Sequence, residues 1–222
     1  MRLILTFLLS TVFISCSSIK TKDIDYQVGD QTFKGYLALN GDQEDKRPGI
    51  VVVHEWWGHN DYVRERAEQL AELGYNAIAL DMYGEGKQAD HPRDAMACSK
   101  KAFSNTQLLK KKFKKAIEIL KKEPSVDGTR IGAIGYCFGG AVVLYNATQG
   151  ANLNAVVSFH GSLSGIKKVT KSSRAKLLVI NGADDPMVSK DDIDNFKTVI
   201  RRSKLSMKFI RASLVIAFRH AQ

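Results

Sequence analysis

The chain is poor in cysteine, in long apolar runs and, towards its end, in histidine. Three cysteines in 222 residues, Cys16, Cys98 and Cys137, exclude a framework stapled by several disulfides. The longest apolar run, residues 3–14, is too short for a comfortable membrane span. No internal repeat or low-complexity tract appears, which excludes solenoid and fibrous architectures, and the length suits one domain with a sizeable core. After Asp185 a single histidine remains, His220, two residues from the C-terminus, where chains commonly fray.

What is present begins with Arg2, the apolar run, and then Ser15-Cys16-Ser17-Ser18. A positive n-region before a short apolar stretch is the pattern of an export signal, here residues 1–18. Cys16 after the small Ser15 resembles the lipobox of bacterial lipoproteins, with Phe13 where leucine is usual. That resemblance implies a lipidated Cys16, a membrane anchor at the new N-terminus, and a periplasmic or membrane-anchored protein whose one domain spans 19–222. Cys98 and Cys137 then remain; one falls in a polar helical segment and the other in a turn, and they are not expected to pair.

The formal charge is +10, which raises nucleic acid or an anionic surface as a partner. Its largest contributor is Lys110-Lys111-Lys112-Phe113-Lys114-Lys115 with Lys121-Lys122. Phe113, Ala116, Ile117 and Leu120 mark an apolar face in that segment, so the lysines read as the solvated side of an amphipathic helix. No nucleic-acid partner is expected.

Alternating apolar residues over 24–28 and 32–39 flank Gly29-Asp30 and predict a β-hairpin. Gly49-Ile50-Val51-Val52-Val53-His54 is a continuous β-branched run, the mark of a strand buried on both faces of a parallel sheet. Helical patterns at 61–73, 93–122 and 190–203 alternate with strands at 76–81, 130–134, 155–159 and 176–180. A hairpin followed by such units predicts an α/β-hydrolase fold with a mostly parallel, doubly wound sheet and functional loops at the carboxyl ends of its strands.

The stretch that carries chemistry is Gly135-Tyr136-Cys137-Phe138-Gly139-Gly140, between the strand at 130–134 and a helical segment at 141–147. Glycines around a nucleophile at a strand-to-helix turn permit tight backbone packing and hold the side chain exposed above the sheet. The helix start directs N–H groups at the sulfur and is expected to favour the thiolate. A thiol nucleophile also needs a base, an orienting acid and oxyanion donors. Asp184 and Asp185 compete for the acid, since Gly182-Ala183-Asp184-Asp185-Pro186-Met187-Val188 follows a buried strand. By the general rule for this fold, the oxyanion donors are the N–H of Phe138, after the nucleophile, and that of Trp56, after the third strand. Trp56 and Trp57 read equally as pocket wall or as core. His54, His59, His91 and His160 read as loop or packing residues, because hydrolase order places the base after the acid.

Together, His54-Glu55-Trp56-Trp57-Gly58, Asp81-Met82-Tyr83-Gly84, the Cys137 hexapeptide and the Asp185 loop resemble the dienelactone hydrolase family, over most of the chain from about Lys34 to Phe209. The resemblance selects Asp185, an acid three residues before Val188. It implies a Cys–His–Asp triad that cleaves a small ester or lactone through an acyl-enzyme, with Glu55 contacting the cysteine and no metal or organic cofactor. In that family arginines grip a substrate carboxylate; the loop Gly84-Glu85-Gly86-Lys87 offers only Lys87, which makes dienelactone itself a poor candidate substrate.

The match breaks at the base. The family carries it after the last strand in a Tyr-Pro-Gly…His-x-Phe context, and a final helix follows. Here no histidine sits near position 216, and the final helix is missing. Regrouping the codons by one frame permits Tyr-Pro-Gly from 209–212 and His-Ser-Phe from 215–218. A frameshift after about Phe209 is therefore expected, and an alternate frame without Pro-Gly and His would sink that idea. On the sequence as it stands, the base is either His220 folding back or absent. The alternative reading is a non-catalytic surface-anchored binding protein on a degenerate hydrolase fold; a membrane-binding module built on the basic helix ranks last.

Overall fold

Eight strands form one sheet in the computed structural model, which describes residues 18–41, 45–203 and 205–212. β1 (Ile19–Val28) and β2 (Gln31–Asn40) pair antiparallel across Gly29-Asp30, the expected hairpin. Gly29 supplies the positive φ of 62° that the turn requires. β2 also pairs antiparallel with β4 (Asn76–Leu80). β4, β3 (Arg47–Val53), β5 (Val126–Tyr136), β6 (Ala155–Phe159), β7 (Lys176–Gly182) and β8 (Met207–Ala212) then lie side by side and run parallel. Crossover helices cover both faces, as a parallel sheet demands.

The interior strands are buried on both sides. Val51, Val53, Ile78 and Leu80 join one core with Phe113 and Leu144, while Val52, Ala77 and Ala79 pack with Val63, Ala67 and Ala71 of α1 (Asp61–Glu72). Each fully buried valine or leucine contributes about 1.5–3 kcal/mol of transfer free energy.

One predicted helix is two. The pattern at 93–122 divides into α2 (Pro92–Ser104) and α3 (Thr106–Lys122). Asn105 leaves helical geometry at φ −121° and ψ 81°, and its side chain accepts a hydrogen bond from the Leu108 N–H at 3.0 Å. An asparagine that caps the next helix compensates for ending the previous one, and apolar periodicity does not report it. α3 buries Phe113, Ala116, Ile117 and Leu120 as expected. Lys112 departs from the solvated face assigned to it: it is buried, donates to the Met82 carbonyl at 2.8 Å and lies 4.6 Å from the Phe33 ring centroid. Lys111, Lys114, Lys121 and Lys122 stay exposed.

α4 (Phe138–Thr148) follows β5, and α5 (Lys190–Ser203) precedes β8. Cys16 and His220 lie outside the described residues, as do all of residues 1–17 and 213–222.

Candidate active site

Three neighbouring parallel strands, β5, β6 and β7, and the adjacent β3 release their chains at one edge of the sheet. Register aligns these exits: Val53 pairs with Gly135, Tyr136 with Phe159, and Phe159 with Ile180. The next residues therefore converge. Cys137 donates its N–H to the Phe159 carbonyl at 2.8 Å, and His160 donates its N–H to the Ile180 carbonyl at 2.8 Å.

Cys137 has φ 51° and ψ −114°, a strained conformation for a side-chain-bearing residue. The glycines around it explain how the chain tolerates such a turn. A Cβ on Gly135 would lie 2.2 Å from the Gly139 carbonyl oxygen, and one on Gly139 would lie 2.2 Å from that of Val53. The elbow thus packs backbone on backbone, with Cys137 at its tip.

The N–H groups of Phe138 and Trp56 face the Cys137 sulfur and favour its thiolate. Those two donors are the pair assigned from the sequence. The thiolate expectation, however, is overturned. Burial, followed by repulsion from the Glu55 carboxylate, pushes the thiol up to about 11, which outweighs the two donors. At rest the sulfur carries its proton.

Glu55 itself is pushed up to about 7 by burial, with Arg66 opposing. A buried carboxyl that holds its proton near neutrality links folding to pH. The unfolded carboxyl releases its proton at about 4.5 and the folded one at about 7, so the stability conferred by that proton is complete below 4.5 and lost as pH passes 7. Glu55→Gln is accordingly expected to gain stability over the wild type from pH 5 to pH 8, read as the difference in urea midpoint; a difference that does not change with pH would refute the assignment.

Asp185 is the carboxylate that the structure brings inward, while Asp184 is exposed. One Asp185 oxygen accepts the Met187 N–H at 2.9 Å, and the other bonds to Nδ1 of His160. The side chains of this Asp–His pair are 3% and 9% exposed, so they interact away from bulk water. His160 also lines the same cavity as Cys137. His160, read from the sequence as a loop or packing residue, is thus placed against Asp185 at the cavity. Chain order argued against it, but sheet order decides: β6 lies between the strands that carry Cys137 and Asp185. Its position one residue past a strand end, like that of Cys137, was the available signal.

The other histidines keep structural parts. His91 caps α2, His59 is buried with Nε2 on the Ala79 carbonyl, and His54 is buried beneath the Trp56 loop. Asp81 is buried too. It accepts the N–H groups of Tyr83 and Gly84 at 2.8 Å and of Gly86 at 2.9 Å, which holds Tyr83 where its hydroxyl donates to the Trp56 carbonyl at 2.9 Å.

A cavity of about 520 Å³ opens over Cys137, walled by Trp56, Phe103, Phe138, Tyr145, Ile166 and Val188. Trp57 and Lys87 are not among its lining residues. Trp57 stacks edge-on against Trp56 at 5.3 Å, and Lys87 sits exposed on the Gly84 turn. The lysine at the cavity is Lys100 of α2, an exposed residue. Cys98 and Cys137 are free thiols.

A strained elbow at Cys137 on a mostly parallel sheet, two N–H groups facing its sulfur and an Asp–His pair at the same cavity are the arrangement of an α/β-hydrolase. The family model for the dienelactone hydrolase family matches residues 33–213. "Protein usf" of Aquifex pyrophilus is 26% identical over 190 residues, covering 83% of this chain and 80% of that protein. The solved structure m3DLH is 35% identical with a TM-score of 0.82, and a dienelactone hydrolase-like promiscuous phosphotriesterase from metagenomic libraries is 31% identical with a TM-score of 0.81. Each of these covers 87% of this chain and 81% of its own. The chain belongs to the dienelactone hydrolase family, hydrolases of small carboxylic esters and lactones.

Proposed function

We propose that the protein hydrolyses small carboxylic esters with an apolar acyl group, through an acyl-enzyme on Cys137 with His160 as base and Asp185 as acid. The observation that carries this reading is the buried Asp185–His160 pair at the cavity that holds the Cys137 sulfur. His160 takes the thiol proton through its second nitrogen as the sulfur attacks the ester carbonyl, and Asp185 stabilises the imidazolium. The N–H groups of Phe138 and Trp56, already directed at the sulfur, receive the oxyanion. Collapse expels the alcohol, which takes the proton back from His160. Water, deprotonated by the same nitrogen, then releases the acid and restores the thiol.

Glu55 governs the charge beside the sulfur. Ionised, it repels a thiolate; protonated, it does not, and near neutrality both forms are populated. Export and anchoring through Cys16 belong to the same proposal and rest on the N-terminal sequence; fatty-acid labelling that survives Cys16→Ala would count against them.

Substrate class follows from the walls. Lys100, at an exposed position, is the cavity's lysine, while aromatic and aliphatic residues form most of the wall. Such a site gains from burying hydrocarbon, at about 0.8 kcal/mol per CH₂. Across p-nitrophenyl esters, kcat/KM is expected to rise from acetate to hexanoate, by up to about 200-fold if all four added methylenes are buried on that scale. Failure to turn over any ester in the series would sink the hydrolase reading, and a flat profile would sink the apolar acyl site alone.

A further inference from the structure

His54 is fully buried, directly precedes Glu55, and takes no part in the chemistry described above. Its two nitrogens have different partners. The Met82 N–H donates to Nε2 at 3.2 Å, and Nδ1 meets the Glu55 carbonyl oxygen. A backbone N–H can only donate and a carbonyl can only accept, so both contacts are satisfied by one neutral tautomer, with the proton on Nδ1. Burial holds the ring well below the ordinary histidine value, at about 4, which keeps it neutral. The ring is further fixed between Tyr83, edge-on at 4.8 Å, and Phe138, stacked at 5.6 Å.

The Glu55 carbonyl belongs to the same peptide group as the Trp56 N–H, which faces the Cys137 sulfur. On the far side, the Met82 N–H belongs to the same peptide group as the Asp81 carbonyl, and that carbonyl accepts the Tyr26 hydroxyl at 3.2 Å. Every link donates in one direction: Tyr26 hydroxyl, Asp81–Met82 peptide, His54 imidazole, and the Glu55–Trp56 peptide, whose N–H faces the sulfur. Hydrogen bonds in such a chain polarise one another, and each acceptor contact on a peptide carbonyl makes its N–H a better donor.

We propose that His54 is a positioning residue, the central link of a hydrogen-bond chain from the Tyr26 hydroxyl to the Trp56 N–H that orients and polarises the oxyanion-hole peptide. The proposal rests on the hydrolase reading for its kinetic consequence and on geometry alone for its tautomer. A group acting this way strengthens a contact that matters most when the carbonyl oxygen becomes an anion.

The test combines kinetics with nitrogen-15 NMR. His54→Phe is expected to lower kcat by about 10–100-fold, with KM changed less than about twofold, since part of an oxyanion donor's worth is lost. The affinity of a trifluoromethyl ketone, which mimics the tetrahedral state, falls by the same factor. His54→Gln, which retains a donor and an acceptor, recovers most of the loss, and Tyr26→Phe costs about two- to fivefold in kcat as the remote link. Should His54→Phe fail to fold, the Gln and Tyr26 variants carry the kinetic arm, and wild-type kcat in Tyr26→Phe with no change in ketone affinity overturns the chain. In the resting wild type, NMR is expected to show Nδ1 protonated and Nε2 bare; the opposite tautomer or an imidazolium overturns the inference. That spectrum needs no turnover, so an inactive wild type would refute the hydrolase reading without being confused with failure of the His54 assignment.

Discussion

Cys137→Ala is expected to reduce p-nitrophenyl ester hydrolysis by about 10³-fold or more, because loss of a triad nucleophile leaves only the contribution of binding and the oxyanion hole. The variant should fold. Alanine keeps the Cβ, so the strain at φ 51° is unchanged, and the group removed is a neutral thiol rather than a paired charge. Circular dichroism and the thermal midpoint should match the wild type while turnover vanishes. Activity within tenfold of wild type would move the chemistry elsewhere, and the binding-protein alternative would gain if the wild type showed no turnover to lose.

His160→Gln carries the second large effect. It is expected to lower kcat by about 10²–10⁴-fold, the range for losing a general base that works with a nucleophile. Asp185→Asn should fall in the same range, because it leaves Nδ1 of His160 without the carboxylate that fixes the ring. The double variant should be no worse than His160→Gln alone, since residues that act as a unit are not additive. His220→Ala is expected to leave the rate unchanged. The reverse pattern, with His220 essential and His160 dispensable, would assign the base to the C-terminal tail and return His160 to a packing role.

Much of this site is written in local sequence, and the exceptions have physical causes. The elbow is legible because its constraint is steric and local: Gly135 and Gly139 have no space for a Cβ, so glycine appears at fixed offsets from Cys137. Hairpin, parallel strands and helix faces are legible from alternation and periodicity. Asn105 hides because a residue that both ends and begins a helix leaves the apolar period intact on either side. Lys112 hides because burial of its ammonium depends on a carbonyl at Met82, thirty residues away in the chain. His160 is the most instructive case. Its pairing with Asp185 depends on which strands are neighbours, a property of sheet order that chain order does not contain. The raised thiol is missed for a similar reason, since a helix start can be read locally while desolvation depends on everything packed above it.

A cysteine that keeps its proton at rest is also a cysteine that is hard to poison. Peroxides and alkylating agents react with the thiolate, and a thiol held near 11 exposes almost none of it at neutral pH. The wall of aromatic rings that makes the pocket hospitable to hydrocarbon thus also works as armour. In the proposed mechanism the sulfur gives up its proton only as a carbonyl arrives above it, which would join the nucleophilicity of sulfur to much of the durability of a serine enzyme.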